Sequence, residues 1–267
     1  MPAALGVIGC GKMAYAIVAG LARNQWEYSR LLVYDPDQAR SELFTREFSA
    51  QAVTAGEVVS RSQVVILAVK PAQIPAVLAE TGKAWTDDKL LLSVAAGIKT
   101  SSLEGMLTSR PAVIRIMPNT PALIGQGISA LCRGINAGDE DLALAQGIFA
   151  CLGSAVIVNE SLMDAVTALS GSGPGYIYLV AEAMIQAGIN IGLDKNLARQ
   201  LVLKTMAGSV AMMEETGLHP AQLKDDVTSP GGTTIAGIRQ LEKHGLRRAF
   251  FDAVEKAFER SVQQGNK

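Results

Sequence analysis

Short apolar runs alternate with amphipathic stretches through roughly the first 160 residues. Residues 4–8 are apolar, residues 13–23 repeat apolar positions at helical spacing, and residues 31–34 form a second apolar run that ends at Asp35. Residues 36–48 then read as a polar-faced helix. Residues 64–69, 90–94 and 113–117 are continuous apolar runs. They lack the alternation of a half-exposed strand, which is the pattern of parallel strands buried on both faces. Asp139, Glu140 and Asp141 open a further helix, with acids where the helix dipole favours them. Gly153 closes that helix, and residues 155–158 are the last strand. Alternating strand and helix predicts a parallel, doubly wound α/β sheet.

From Leu162 onward the pattern holds no convincing strand. Residues 176–189 are long and apolar, and Asp194 caps a helix running through Glu215 that Gly217 closes. Residues 230–244, closed by Gly245, and residues 246–264 are two more helices. The expected organisation is a sheet domain over residues 1–160 and an all-helical domain over residues 161–267. Residues 176–187 are apolar around most of the helix, and such a helix must be buried. A helical unit of about 100 residues offers too little cover, so a second copy of the chain is expected and the protein reads as a homodimer.

Composition narrows the function. Hydrophobic residues make up 49% of the 267, and 24 basic residues nearly balance 25 acidic ones. A net charge of -1 gives no general pull toward nucleic acid or anionic membrane, so function belongs to a local site. The apolar start lacks a basic segment and is interrupted by Lys12, which argues against a signal peptide. No run of about 18 apolar residues suggests a membrane span. Cys10, Cys132 and Cys151 are widely spaced, and His219 and His244 are the two histidines. Neither a disulfide framework nor a metal site is expected, and a cytoplasmic, reducing compartment fits best.

The chemistry begins at residues 7–14. Gly9, Cys10, Gly11, Lys12, Met13 and Ala14 spell GxGxxA between a strand and a helix. In such a turn Gly9 permits the tight bend, Gly11 lets backbone approach a pyrophosphate, and Ala14 lets the helix pack closely on the strand. The pyrophosphate rests on helix N–H groups. This is the fingerprint of a Rossmann dinucleotide-binding domain. Asp35, ending the second strand, accepts bonds from the ribose 2′-OH of NADH and repels the 2′-phosphate of NADPH. The reading leans to NADH, with NADPH as the alternative because Arg40 can swing toward a 2′-phosphate. In the plainer view Asp35 only caps a helix starting at Pro36. The C-terminal ends of the later strands should line the cofactor cleft: Ala68, Val69, Lys70 and Pro71; Ala95, Ala96 and Gly97; Pro118 and Asn119. Lys70 reaches phosphate or substrate, or simply faces solvent.

Residues 226–237 read DVTSPGGTTIAG, a loop running into a helix whose free N–H groups and hydroxyls suit a carboxylate. The plainer reading is a helix capped by Ser229. This stretch, with LSGSGPGY at residues 169–176, resembles the Δ1-pyrroline-5-carboxylate reductase family. Residues 8–14, 68–71, 95–97 and 117–121 resemble that family in the same order, so the likeness spans nearly the whole chain. The resemblance implies hydride transfer from NAD(P)H to a cyclic imine, giving L-proline. It implies interlocked dimers, often assembled into rings of dimers, with the partner completing each site. It also carries substrate binding onto Val227, Ser229, Gly232, Thr233 and Thr234. Thr234 would be the catalytic residue, hydrogen-bonded to the ring nitrogen. Asp35 and Ala55 depart from the Ser/Arg-type and Asn residues that relatives often carry at the adenosine end.

Hydride transfer is largely a matter of positioning, and protonating the imine nitrogen makes its carbon more electrophilic. One hydroxyl or water suffices, which explains why no Asp/His pair is needed. His219, just before Pro220, reads as a capping or surface residue. Two rivals remain. One is a reductase of another cyclic imine or a β-hydroxyacid dehydrogenase, although the latter needs a lysine that residues 176–189 lack. The other is a non-catalytic redox sensor, which has no use for a substrate carboxylate site.

Overall fold

The computed structural model describes residues 3–265. The chain divides into two compact units. One reaches to Ser172 and is rejoined by the chain from Ala257 on, and the other spans Gly173–Lys256.

The first unit alternates strand and helix. β1 (Leu5–Ile8), α1 (Lys12–Arg23), β2 (Leu31–Tyr34), α2 (Gln38–Phe48), β3 (Gln51–Ala52), α3 (Ala55–Arg61) and β4 (Val64–Leu67) come first. They are followed by α4 (Ile74–Thr81), β5 (Leu90–Ser93), α5 (Thr100–Gly105) and β6 (Ala112–Met117). β7 (Gly127–Arg133), α6 (Asp139–Ala150), β8 (Gly153–Ile157) and the short α7 (Met163–Val166), which runs into a π-turn at Thr167–Gly171, complete it. The sheet order is β3-β2-β1-β4-β5-β6-β7-β8.

β1, β2, β4, β5 and β6 are parallel, as the continuous apolar runs predict, and the two-residue β3, which no apolar run marks, pairs parallel to β2. The expectation of an all-parallel sheet needs one correction, because β7 runs antiparallel to β6. The connector, residues 118–126, contains only a 3₁₀ turn at Thr120–Ile124, and a parallel crossover needs about a dozen residues or more. β7 mixes Gly and Ser into its apolar residues and so shows no continuous run. β8 pairs parallel to β7 across α6, and Gly153 is its first residue rather than the end of α6.

Alternate side chains of the central strands enter two apolar layers. On β4, Val64 and Ile66 join α1, α2 and α6 on one face, while Val65 and Leu67 join α3, α4 and α5 on the other. Ala14 is fully buried in the first layer, so α1 lies close on the sheet. Each fully buried Leu or Ile contributes about 1.5–3 kcal/mol relative to an exposed one.

The second unit is helical: α8 (Gly173–Asn190), α9 (Lys195–Thr216), α10 (Pro220–Asp226), α11 (Thr233–Lys243) and the first part of α12 (Leu246–Gly265). Asp194 caps α9 through the N–H groups of Asn196 and Leu197, and Gly217 closes it in the left-handed conformation. α10 is an unforeseen helix, and His219 is its cap, with Nδ1 accepting from the Ala221 N–H at 3.2 Å. Within this unit the buried apolar residues are only Ala181, Ala198 and Val202. Ile177, Tyr178, Leu179, Val210, Met212 and Phe251 are each half exposed or more.

Candidate active site

The strand order reverses direction of travel between β1 and β4, and ligands in such sheets bind beyond the C-terminal ends of those strands. The two loops there touch. Gly9 has φ +93°, and a side chain on it would strike the backbone of Ala68 at 2.8 Å. Only glycine allows this approach. At Gly11, by contrast, an added side chain meets no protein atom within 4 Å, so the backbone is open to a ligand. α1 starts from Gly11 with no side-chain cap and no acid in its first turn, which leaves its leading N–H groups to an anion. This donor set fits the pyrophosphate of a dinucleotide.

A cleft of about 680 Å³ lies here, lined among others by Gly9, Gly11, Asp35, Ala68, Val69 and Lys70. The face of α4, with Ala76, Val77 and Glu80, forms a wall that the sequence did not point to. Lys12 lines an adjoining groove with Cys10, Tyr15 and Arg40. Met13 is half-buried against the core, and Pro71 starts a 3₁₀ turn. Lys12 and Lys70 are exposed, and the Lys70 N–H donates to Gln73 Oε1. Ala95, Ala96, Gly97, Pro118 and Asn119 follow β5 and β6 at the same sheet edge but do not line this cleft. The Asn119 side chain braces protein instead: Oδ1 accepts from the Ile128 N–H at 3.0 Å, and Nδ2 donates to the Ser170 carbonyl at 3.3 Å.

Asp35 does not cap α2. That cap is Asp37, and α2 starts at Gln38. The Asp35 side chain is only 7% exposed. Its Oδ2 accepts from the Cys10 N–H in the glycine-rich turn at 2.7 Å, and its Oδ1 accepts from the Asp37 N–H at 2.9 Å. Arg40 lies 4.0 Å from Asp35 and 3.1 Å from Asp37, with its side chain 56% exposed. Burial, reinforced by the Asp35 charge, pushes the Cys10 thiol up to about 12. It remains a protonated thiol beside the cleft and no nucleophile.

In the helical unit, residues 227–234 form the second candidate region. Pro230, expected to start a helix, turns the chain instead. The Gly232 N–H donates to the Ser229 carbonyl at 3.0 Å with Gly231 at φ +69°, the signature of a type II turn. α11 begins at Thr233, with Gly232 and not Ser229 at its cap position. No side chain caps it and no acid stands in its first turn. Its leading N–H groups are therefore open beside the exposed side chains of Ser229, Thr233 and Thr234. Val227 is 66% exposed. Among the described residues no His/Cys/Asp/Glu group has the geometry to hold a metal ion.

Residues 160–264 match the family model for pyrroline-5-carboxylate reductase dimerisation. Residues 4–97 match one for NADP oxidoreductase, coenzyme F420-dependent. The chain is 42% identical to the pyrroline-5-carboxylate reductase of Methanosarcina acetivorans, over 98% of each chain. It is also 42% identical to that of Pisum sativum, over 96% of this chain and 94% of the relative. The solved structure of the Coxiella burnetii enzyme superposes with a TM-score of 0.92 at 33% identity, covering 99% of both chains. That of the Plasmodium falciparum enzyme, solved with NADP bound, superposes at 0.89 and 33% identity, covering 98% of both. Identity at this level along the whole chain makes it a member of the pyrroline-5-carboxylate reductase family.

Proposed function

We propose that this protein reduces Δ1-pyrroline-5-carboxylate to L-proline, the last step of proline biosynthesis, with NADH or NADPH as cofactor. The observation that carries this reading is the uncapped start of α11, where open N–H groups stand beside three exposed hydroxyls. The N–H groups and the hydroxyls of Ser229 and Thr233 hold the substrate carboxylate, and Val227 and Gly232 shape the pocket. The Thr234 hydroxyl hydrogen-bonds the ring nitrogen, holding the proton that makes the adjacent carbon electrophilic. Gly9, Gly11, Lys12 and Met13 seat the pyrophosphate, and residues 68–71, 95–97 and 118–119 shape the nicotinamide end. When bound, the nicotinamide supplies the hydride.

The buried Asp35 carboxylate supports a lean to NADH, because a 2′-phosphate beside it meets like charge. The exposed Arg40 supports NADPH. The exposed apolar surface of α8 and α9 supports a homodimer, and a ring of dimers is the larger assembly consistent with it. Among the described residues no helix is long and apolar enough to cross a membrane, and the three cysteines are unpaired, which suits a reducing cytoplasm.

The test is steady-state oxidation of NADH and of NADPH by the purified protein with Δ1-pyrroline-5-carboxylate. Turnover to proline supports the reading, and the ratio of the two kcat/KM values decides the role of Asp35. Tight cofactor binding without turnover would sink it.

A further inference from the structure

The loop at residues 94–99 has no regular structure of its own, yet it is held at three points inside the first unit. Its start is tied by the Val94 N–H to the Leu67 carbonyl at 3.1 Å. Its end is tied by Thr100, the first residue of α5. The Thr100 N–H and hydroxyl both donate to the Glu160 carboxylate, each at 2.7 Å. Its middle meets the last turn of α12, where a side chain added to Gly97 would lie 3.5 Å from the Gly265 nitrogen.

The Thr100 tie and the α12 contact meet in one ion cluster around a buried guanidinium, with half-buried Glu160 and Asp164 beside it. Arg115, on β6 and 3% exposed, sets Nη1 3.4 Å from Glu160 and Nη2 4.0 Å from Asp164. Asp164 in turn accepts from the hydroxyl of Ser261 at 2.7 Å, and Ser261 is 4% exposed on α12. One guanidinium faces two carboxylates; Glu160 is also held by the Thr100 N–H and hydroxyl, and Asp164 by the Ser261 hydroxyl. The buried Arg115 charge fixes its two half-buried partners in place, because leaving a buried charge unpaired is costly.

The geometry points to a positioning clamp, in which Thr100, Arg115, Glu160, Asp164 and Ser261 set the shape of residues 95–97 for the nicotinamide end of the cofactor. Thr100 and Ser261 are positioning residues that touch neither substrate nor cofactor. Ser261 binds the end of α12 to the same cluster that orients the loop. This inference rests on the proposed reductase reading for its placement of residues 95–97 along the cofactor.

The experiment compares wild type with Thr100→Val and Ser261→Ala, and with the conservative Thr100→Ser. Three quantities are read: Tm, the Kd for NADH and NADPH by fluorescence titration, and kcat with the imine KM. Thr100→Val is expected to raise the cofactor Kd or lower kcat about tenfold, since small misplacements near the reacting atoms are costly. Thr100→Ser is expected to stay within about twofold on every readout, because it keeps the hydroxyl. Ser261→Ala, which removes only one hydroxyl at the far side of the cluster, should shift the same parameters in the same direction by about threefold. Two folded variants with lowered Tm but unchanged Kd and kcat would overturn the clamp and leave the cluster a structural device. If Thr100→Val does not fold, Ser261→Ala decides alone. A wild type that binds cofactor but does not turn over the imine refutes the reductase reading, while the cofactor Kd of the variants still judges the clamp.

Discussion

The two units place the same kinds of side chain in opposite surroundings. In the sheet unit Ile66, Leu67, Leu91 and Leu92 are fully buried between layers of helices. In the helical unit Ile177, Leu179 and Phe251 stand 52%, 66% and 74% exposed, and its few buried apolar residues are small or medium. A sheet covered on both faces completes its core within one chain. A set of helices with apolar residues on several faces does not, and contiguous exposed apolar surface marks an interaction site. The first unit completes a core within one chain, whereas the second, which matches a dimerisation domain, leaves apolar helix faces exposed.

The largest effect should come from breaking that shared surface. Leu179→Arg is expected to convert the oligomer to monomer and to abolish turnover, checked by light scattering and by cofactor oxidation. An active oligomer would mean that the exposed face of α8 is not an interface. The matching change in the sheet unit, Ile66→Ala, should instead cost about 2–5 kcal/mol of stability in denaturant unfolding while leaving the oligomeric state alone. If it dissociated the oligomer, the contrast between the units would fail.

Smaller changes sharpen the comparison at the sites. Thr234→Ala should lower kcat/KM by about tenfold to a few hundredfold, the value of one hydrogen bond near the reacting centre. Unchanged kinetics would remove Thr234 from the mechanism. Asp35→Ser should shift preference toward NADPH by about tenfold, the size of a 1.4 kcal/mol change. Because the same carboxylate braces the glycine-rich turn, affinity for both cofactors should also fall somewhat, which titration of each would reveal.

The smallest effect concerns pH. Burial raises the Cys10 and Cys132 thiols from 9.0 to about 12. A thiol held above its unfolded value binds its proton more tightly in the folded state. Its contribution to stability is therefore complete below about pH 9 and is lost as pH climbs from 9 toward 12. Native alkylation near pH 8 should spare both residues and label them only on unfolding. Rapid labelling of Cys10 in the folded protein would show the turn to be open.

Much of the fold is legible in the sequence. The strand-turn-helix around Gly9 and Gly11, the buried parallel strands, the caps Asp194 and Gly217 and the helical second half all follow from local pattern. The Ser229 cap and the helix start at Pro230 did not hold, because a proline-glycine turn satisfies the same residues in another way. β7 escaped because its apolar positions are broken by Gly and Ser.

What the sequence alone determined is therefore whatever depends on neighbours along the chain: element type, the glycine-rich turn and the apolar surplus of the helical half. Tertiary structure decided the rest. It reversed β7 against β6, spent the Asp35 carboxylate on the Cys10 and Asp37 N–H groups, and gathered Thr100, Arg115, Glu160, Asp164 and Ser261 into one cluster. Ser261 and Asp164 are separated by 97 positions. No local periodicity encodes such a pair, because only the packing of α7 against the end of α12 brings the two side chains within hydrogen-bond distance.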